Sequence, residues 1–196
     1  MVRDIPDKIQ RQMRRLEGID AADRVDGTSH NRRLRQIPPE TGNFLAMIAA
    51  NAPAGTIMEI GTSAGYSGLY LSLACRLKNA RLISFENSID KGRLAEDTFR
   101  LAGVDDIVEL VIGDARDYLN DYRDIAFCFL DADKDIYRDC YDLIVPNMVA
   151  GGLLIADNVI SHADQLRPFI ENALGDTRVD AVIVPIGKGE LLCRRI

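Results

Sequence analysis

The sequence has no run approaching the roughly 18 to 20 consecutive apolar residues that a membrane-spanning helix requires. Its opening stretch, MVRDIPDKIQRQMRRLEG, is charged throughout where a secretory leader would carry an apolar core. A cytoplasmic protein with no membrane partner is the expectation. Cysteine is sparse: Cys75, Cys128, Cys140 and Cys193 form no CxxC pair and lie mostly within apolar runs, which speaks against disulfides and reads as reduced core thiols. No His or Cys cluster is available for zinc, and His30 has no partner that can be named and reads as surface. Repeats of 20 to 50 residues and low-complexity tracts are absent, which excludes solenoids and fibrous arrays. Positive charge is in deficit, and the net charge of −6 argues against broad, sequence-independent nucleic-acid binding, which depends on neutralising phosphates. The first 35 residues are the local exception, with Arg11, Arg14, Arg15, Arg24, Arg32, Arg33 and Arg35. A solvated helical face explains them most simply.

What is present is material for one core: 196 residues, 47% hydrophobic, which favours a single domain over two large ones. After a helical N-terminal portion, apolar runs alternate with segments of helical period. Strands are predicted at 56–60, 81–86, 107–112, 125–131, 152–157, 179–186 and 189–195. Helices are predicted at 66–78, 88–102, 137–149 and 163–174. Near-continuous apolar strands separated by helices require a parallel sheet covered on both faces, so the fold class is α/β and doubly wound. The last two strands are separated only by Gly187 and Lys188, a hairpin signal that predicts an antiparallel edge.

Ligands bind such sheets beyond the carboxyl ends of the strands. Those ends carry Glu59 with Gly61, then Glu86, Asp114, Asp131 with Asp133, and Asp157 with Asn158. One carboxylate at such a place is usually a turn former or helix cap. Five along one rim repel each other unless a cation or hydrogen-bond donors offset them. The first strand leads into EIGTSAGYSG, with Gly61, Gly65 and Gly68. A dinucleotide loop would have glycine where Ser63 stands, and a phosphate-binding P-loop would have a lysine that is missing here. The loop suits a nucleoside-like ligand without a pyrophosphate, and Glu86 stands where an acidic residue can accept both ribose hydroxyls.

EIGTSAGYS, FEN at 85–87, GDA at 113–115, FLDADKDIY and ADN at 156–158 together resemble the motifs of S-adenosylmethionine-dependent O-methyltransferases of the catechol and caffeoyl-coenzyme A type. The resemblance runs from about Ile37 to Ile186. It implies a Rossmann-like core at 37–196, of seven strands and mostly parallel, preceded by a helical extension at 1–36. It also implies that Glu59, Gly61, Thr62 and Ser67 line the methionine end of the cofactor, that Glu86 holds its ribose, and that Asp114 with Ala115 meets the adenine. Asp133 matches a position near the cofactor. Asp131, Asp157 and Asn158 match the family's divalent-metal ligands, and two carboxylates with an amide oxygen are hard donors suited to magnesium, or to calcium or manganese. Asp131 and Lys134 would be the catalytic pair, with Lys134 as general base. His162 falls on a segment matching the substrate loop.

The implied reaction is methyl transfer to a hydroxyl of a small catechol-like or vicinal-diol acceptor, the cation stabilising the oxyanion. Two other readings remain: a tRNA 5-hydroxyuridine O-methyltransferase that uses the arginine-rich start, and a non-catalytic adenosyl-ligand-binding module. A nicotinamide-dependent reductase is disfavoured by Ser63. Two departures bear on the acceptor: only VISHA separates Asn158 from Asp164, where relatives carry a longer insertion, and Lys188 stands where many have an acidic residue. A more open acceptor site is expected. By the same resemblance a homodimer is expected, and Ile5, Ile9, Met13 and Leu16, at helical spacing, would either cover the acceptor site or pack on a partner subunit.

Overall fold

The computed structural model of the chain describes residues 4–29 and 32–196, so the reading of His30 as surface lies outside the described residues. Seven strands form one sheet: β1 (Thr56–Ile60), β2 (Leu82–Glu86), β3 (Val108–Ile112), β4 (Ile125–Leu130), β5 (Met148–Ala156), β6 (Val179–Val184) and β7 (Glu190–Arg195). Six helices flank it: α1 (Asp7–Asp23), α2 (Pro39–Asn51), α3 (Tyr66–Lys78), α4 (Ile89–Ala102), α5 (Tyr137–Ile144) and α6 (Ala163–Gly175). The strand order is β3-β2-β1-β4-β5-β7-β6. Strands β1 to β5 pair in parallel, while β7 runs antiparallel to both β5 and β6. The direction of winding reverses between β1 and β4, the place where such sheets open a crevice for ligand.

Side-chain alternation divides the core in two. Ile57, Phe127, Phe129 and Ile155 point to one face and join residues of α1 to α4. Met58, Ile60, Cys128, Leu130, Leu154 and Ala156 point to the other and join residues of α5 and α6. Every residue of β4 is buried, which accounts for its uninterrupted apolar run. All four cysteines are free and buried.

Local signals set the helix ends. Ser88 caps α4 by accepting from the Lys91 amide at 3.4 Å, and Gly103 closes the helix in the left-handed region. The N-terminal stripe is used within the chain: Ile9, Met13 and Leu16 are buried in the same cluster as Leu69 and Phe99. Neither a partner subunit nor the acceptor site is needed to cover them. The Tyr66 hydroxyl donates to Glu17 at 2.6 Å and fixes α1 to the start of α3.

Two sequence-based boundaries need correction. The helix expected at 137–149 ends at Ile144, because Pro146 has no amide hydrogen and turns the chain into a short 3-10 segment, Val145–Asn147. The strand expected to begin at 152 begins at Met148 instead. Its register against β4 jumps from Ile125↔Met148 to Phe127↔Leu153, an irregularity absorbed around Gly151 at φ 77°. The C-terminal connection is also longer than a two-residue turn, since β6 ends at Val184 and β7 starts at Glu190. No described helix is long and apolar enough to cross a membrane.

Candidate active site

A cavity of about 850 Å³ lies beyond the carboxyl ends of β1, β2, β4 and β5, bounded also by the segment from Arg33 to Ile37, by Asp20 of α1 and by Arg24 just past its end. Its size is that of a small-molecule site, with room for a nucleoside-sized ligand and a second molecule.

One wall is the loop after β1. The Gly61 and Thr62 amides donate to the Phe85 carbonyl at 2.9 and 3.1 Å, carrying the chain across the tip of β2. Gly61 has φ 102°, and a Cβ there would collide with the Asp131 carbonyl oxygen. Glycine at this position is therefore what lets the tips of β1 and β4 approach. Ser63 also adopts a positive φ, of 49°, and is held by two bonds. Its amide donates to Glu86 Oε2 at 2.6 Å and its hydroxyl to the Leu34 carbonyl at 2.9 Å.

Glu86 also accepts the Ser88 amide on Oε1 at 2.8 Å. Each oxygen thus takes one backbone donor and keeps a lone pair for a ligand, and Glu86 lines the cavity. Asp114 and Ala115 line it as well. Asp114 is already engaged: it accepts the Arg116 amide at 3.0 Å and faces that guanidinium with both oxygens, the shortest bond being 2.7 Å from the terminal nitrogen. Arg116 holds the Asp114 carboxyl below its ordinary pKa. An adenine amino group would have to share Asp114 with Arg116, a competition the sequence motif does not reveal.

Glu59 is placed differently from expectation. It is fully buried beneath the loop and is not part of the cavity wall. Oε2 accepts from Ser84 Oγ at 2.6 Å, and Ser84 lies 2.6 Å from Thr62 Oγ1. Burial pushes the Glu59 carboxyl up to about 7, with Ser67 and Ser84 hydroxyls pulling the other way. Gly61, Thr62 and Ser67 do line the cavity, and through Thr62 and Ser84 the buried carboxyl is linked to it.

The opposite wall brings together Asp131, Lys134, Asn158 and His162. Asn158 Nδ2 donates to Asp131 Oδ1 at 2.9 Å, and the Asn158 amide donates to Asp157 Oδ1 at 2.6 Å. Lys134 Nζ donates to Asp131 Oδ1 at 3.2 Å, to the Ala132 carbonyl at 2.9 Å and to the Tyr137 hydroxyl at 2.7 Å. Asp157 is fully buried behind this corner, outside the cavity wall, and its carboxyl shares a hydrogen bond with that of Glu190. Among the described residues no group of three or more His, Cys, Asp or Glu side chains is arranged to hold a metal ion. Asp133 lines the cavity but is 76% exposed and reaches Arg35 only at 4.0 Å. His162 precedes α6, its Nδ1 3.0 Å from the Ser161 hydroxyl. The VISHA segment is tied down by amides of Val159, Ile160 and Ser161 donating to carbonyls of Gly189 and Lys188.

The family model described as O-methyltransferase matches residues 22–196. The chain belongs to the O-methyltransferase family. It is 32% identical over 165 residues to a catechol O-methyltransferase of Niastella koreensis, covering 76% of this chain and 74% of that protein. It is 26% identical over 182 residues to a caffeoyl-CoA O-methyltransferase of Medicago sativa, covering 80% of this chain and 73% of that one. The fold is shared with the O-methyltransferase from Bacillus cereus in complex with SAH, at TM-score 0.80 and 23% identity over 95% of this chain and 91% of that one. The TomG O-methyltransferase of Streptomyces achromogenes, in complex with SAM, superposes at TM-score 0.76 and 24% identity over 92% of this chain and 88% of that one.

Three groups at this O-methyltransferase's site escaped the sequence reading. Tyr137 is fully buried, and burial raises its hydroxyl pKa well above the ordinary value while the hydroxyl bridges Lys134 and the Asp157 carbonyl. Lys91 of α4 lines the cavity, and partial burial lowers its pKa. Glu190, at the start of β7, is fully buried beside Asp157. Burial raises both carboxyls, Glu190 the more strongly; the charge of Asp131 adds to the rise at Asp157, the charge of Asp157 adds to the rise at Glu190, and a hydrogen bond between the two side chains pulls Asp157 down and pushes Glu190 up. The only signal for Tyr137 was its i+3 spacing from Lys134; for Glu190, at the start of an apolar strand, there was none.

Proposed function

We propose that this O-methyltransferase transfers the methyl group of S-adenosylmethionine to a hydroxyl of a small catechol-like or vicinal-diol acceptor, with a divalent cation at Asp131, Asp157 and Asn158. The observation that supports the cation is the crowding of Asp131 and Asp157 around Asn158, whose amide donates to Asp157 Oδ1 and whose Nδ2 donates to Asp131 Oδ1. Carboxylates brought this close repel each other unless a cation offsets them, and oxygen donors of this kind fit a hard one. The amide orientation of Asn158 is interchangeable by a flip that would present its oxygen. Magnesium suits this oxygen set, with manganese or calcium as substitutes.

When bound, the cofactor supplies an electrophilic methyl on a sulfonium and the cation supplies Lewis-acid stabilisation of the acceptor oxyanion. The chain does the rest. Glu86 accepts the ribose hydroxyls with the lone pairs left by Ser63 and Ser88. The loop from Gly61 to Ser67 orients the methionine end. Lys134 stands at the acceptor side with its three donors engaged as an ammonium. In that form its charge holds an oxyanion; in the neutral form Nζ takes the hydroxyl proton. Holding the hydroxyl in line with the methyl is worth more than any single group, because orientation replaces a bimolecular encounter.

The test is methylation with labelled cofactor of a panel of catechols, flavonoids and tRNA, each with and without chelator. Catechol methylation lost on chelation, and lost in Asp157→Ala while calorimetric cofactor binding persists, is the expected outcome. Chelator-insensitive turnover removes the cation from the reading. Methylation confined to tRNA replaces the small acceptor by RNA, and cofactor binding with no acceptor at all leaves a binding module.

A further inference from the structure

Strands β6 and β7 are joined through a tight turn, Ile186 to Gly189, closed by the Gly189 amide donating to the Ile186 carbonyl at 2.8 Å. Gly187 takes φ 55° at the first central position and Lys188 occupies the second. The turn is wedged in place. A Cβ on Gly187 would collide with Thr41 Oγ1 of α2, and one on Gly189 would collide with Ile160. The Lys188 carbonyl accepts the Ile160 and Ser161 amides at 3.2 and 3.0 Å. With its backbone held on both sides, Lys188 lines the cavity half-buried, as do Asn158, Ser161 and His162.

Among the described residues, the Lys188 ammonium makes no hydrogen bond and no ion pair, so its three donors are uncommitted. Its charge reaches Asp157 and Glu190 only at longer range, and those two carboxyls are fully buried and already share a hydrogen bond. A cation on the wall of a concave site attracts an anion more strongly than one in open water, because less water screens it. Lys134 is different, since all its donors are engaged around Asp131. In the sheet order Lys134 follows β4 and Lys188 precedes β7, with β5 and Asn158 between them. Their supporting strands are two strand spacings apart, about 10 Å, which leaves room for one aromatic ring between the two lysines.

We infer that Lys188 determines acceptor specificity, binding a carboxylate that the preferred acceptor carries across its ring from the vicinal hydroxyls. The inference rests on the small-acceptor reading given above and narrows it to hydroxylated aromatic acids. A monoanion suits a single uncommitted ammonium, whereas a phosphate dianion would be repelled by Asp133 and Asp135 on the same rim.

The test compares kcat/KM for three acceptors that share a catechol ring: protocatechuate, which carries a carboxylate, uncharged methylcatechol, and the amine dopamine. Wild type is expected to prefer protocatechuate. Lys188→Met is expected to lower the ratio of protocatechuate to methylcatechol by about 10- to 100-fold, chiefly through KM, the weight of one charge-assisted hydrogen bond. Lys188→Arg, which keeps the charge, should retain most of that ratio, and Lys188→Glu should move the preference to dopamine. Lys188→Gln replaces the Met variant should that one fail to fold. An unchanged ratio in a folded, uncharged variant overturns the inference. So does an equal loss on all three acceptors, because Lys188 would then serve only as a counter-charge to the buried Asp157 and Glu190. A wild-type enzyme that methylates none of the three removes the small-acceptor reading and this inference with it; one that methylates all three without discrimination keeps that reading and rejects the inference alone.

Discussion

Lys134 donates to the Tyr137 hydroxyl at 2.7 Å, and that hydroxyl in turn donates to the Asp157 carbonyl at 3.2 Å. One buried tyrosine thus ties the tip of β4 to the tip of β5. Replacing Lys134 by Met should lower kcat by about 10²- to 10⁴-fold, the usual contribution of a positioned proton acceptor, and leave cofactor affinity unchanged. Tyr137→Phe removes only the tether and should cost about tenfold in kcat, one hydrogen bond's worth. Steady-state kinetics on both variants decide it. A Lys134→Met enzyme with wild-type kcat ends the catalytic assignment.

Glu86 accepts two backbone amides and lines the cavity at once. Glu86→Gln keeps the size but weakens charge-assisted bonds, each worth about 1.5–3 kcal/mol. Cofactor dissociation constants should therefore rise by about 10- to 100-fold by calorimetry. An unchanged constant means that the ribose is held elsewhere.

Gly61→Ala combines an unfavourable φ of 102° with a collision against the Asp131 carbonyl. Backbone strain of this kind costs about 1–3 kcal/mol, which in a chain of this size lowers the midpoint of thermal unfolding by about 2–12 °C. Both cofactor and cation affinity should fall together, since the substitution forces apart two strand tips. Calorimetric scanning with and without ligand reads both effects. A variant as stable as the parent would mean the loop adjusts at no cost.

Glu59 has a folded-state pKa of about 7 against 4.5 for the free side chain, so between those values the folded chain holds more protons than the unfolded one. Stability from this group is present below the lower value and lost as pH rises through the upper one, by about 3 kcal/mol in all. Glu59→Gln does not titrate. Its stability relative to wild type should climb across that window and level off above it, as measured by urea unfolding at a series of pH values. A difference that stays flat, or falls, contradicts the assignment.

Much of the architecture was legible because β4 and its neighbours announce themselves as unbroken apolar runs, and because Gly61, Gly65 and the acidic residues fall at strand ends in a recognisable order. The errors came where local chemistry competes with periodicity. Ile144 to Val149 continues an apolar helical pattern, but Pro146 breaks it, and only three-dimensional pairing with β4 shows that Met148 already belongs to a strand. Glu59 looked like a cavity residue because strand ends face ligands, yet its side chain turns into the core beneath Thr62. Glu190 was invisible for a different reason: its burial against Asp157 follows from the register of β7 on β5, a relation that no spacing along the chain encodes.

Strand β5 is the longest in the sheet and is hydrogen-bonded on both sides, to β4 and to β7. Asp157 and Asn158 therefore sit on a fixture that cannot shift without dismantling the centre of the molecule, whereas Arg33 to Ile37 and Val159 to Ser161 hang on a few bonds at its rim. Redirecting the enzyme from one hydroxylated compound to another would thus be a problem of rim engineering, and libraries confined to those two segments should change selectivity while leaving the chemical step in working order.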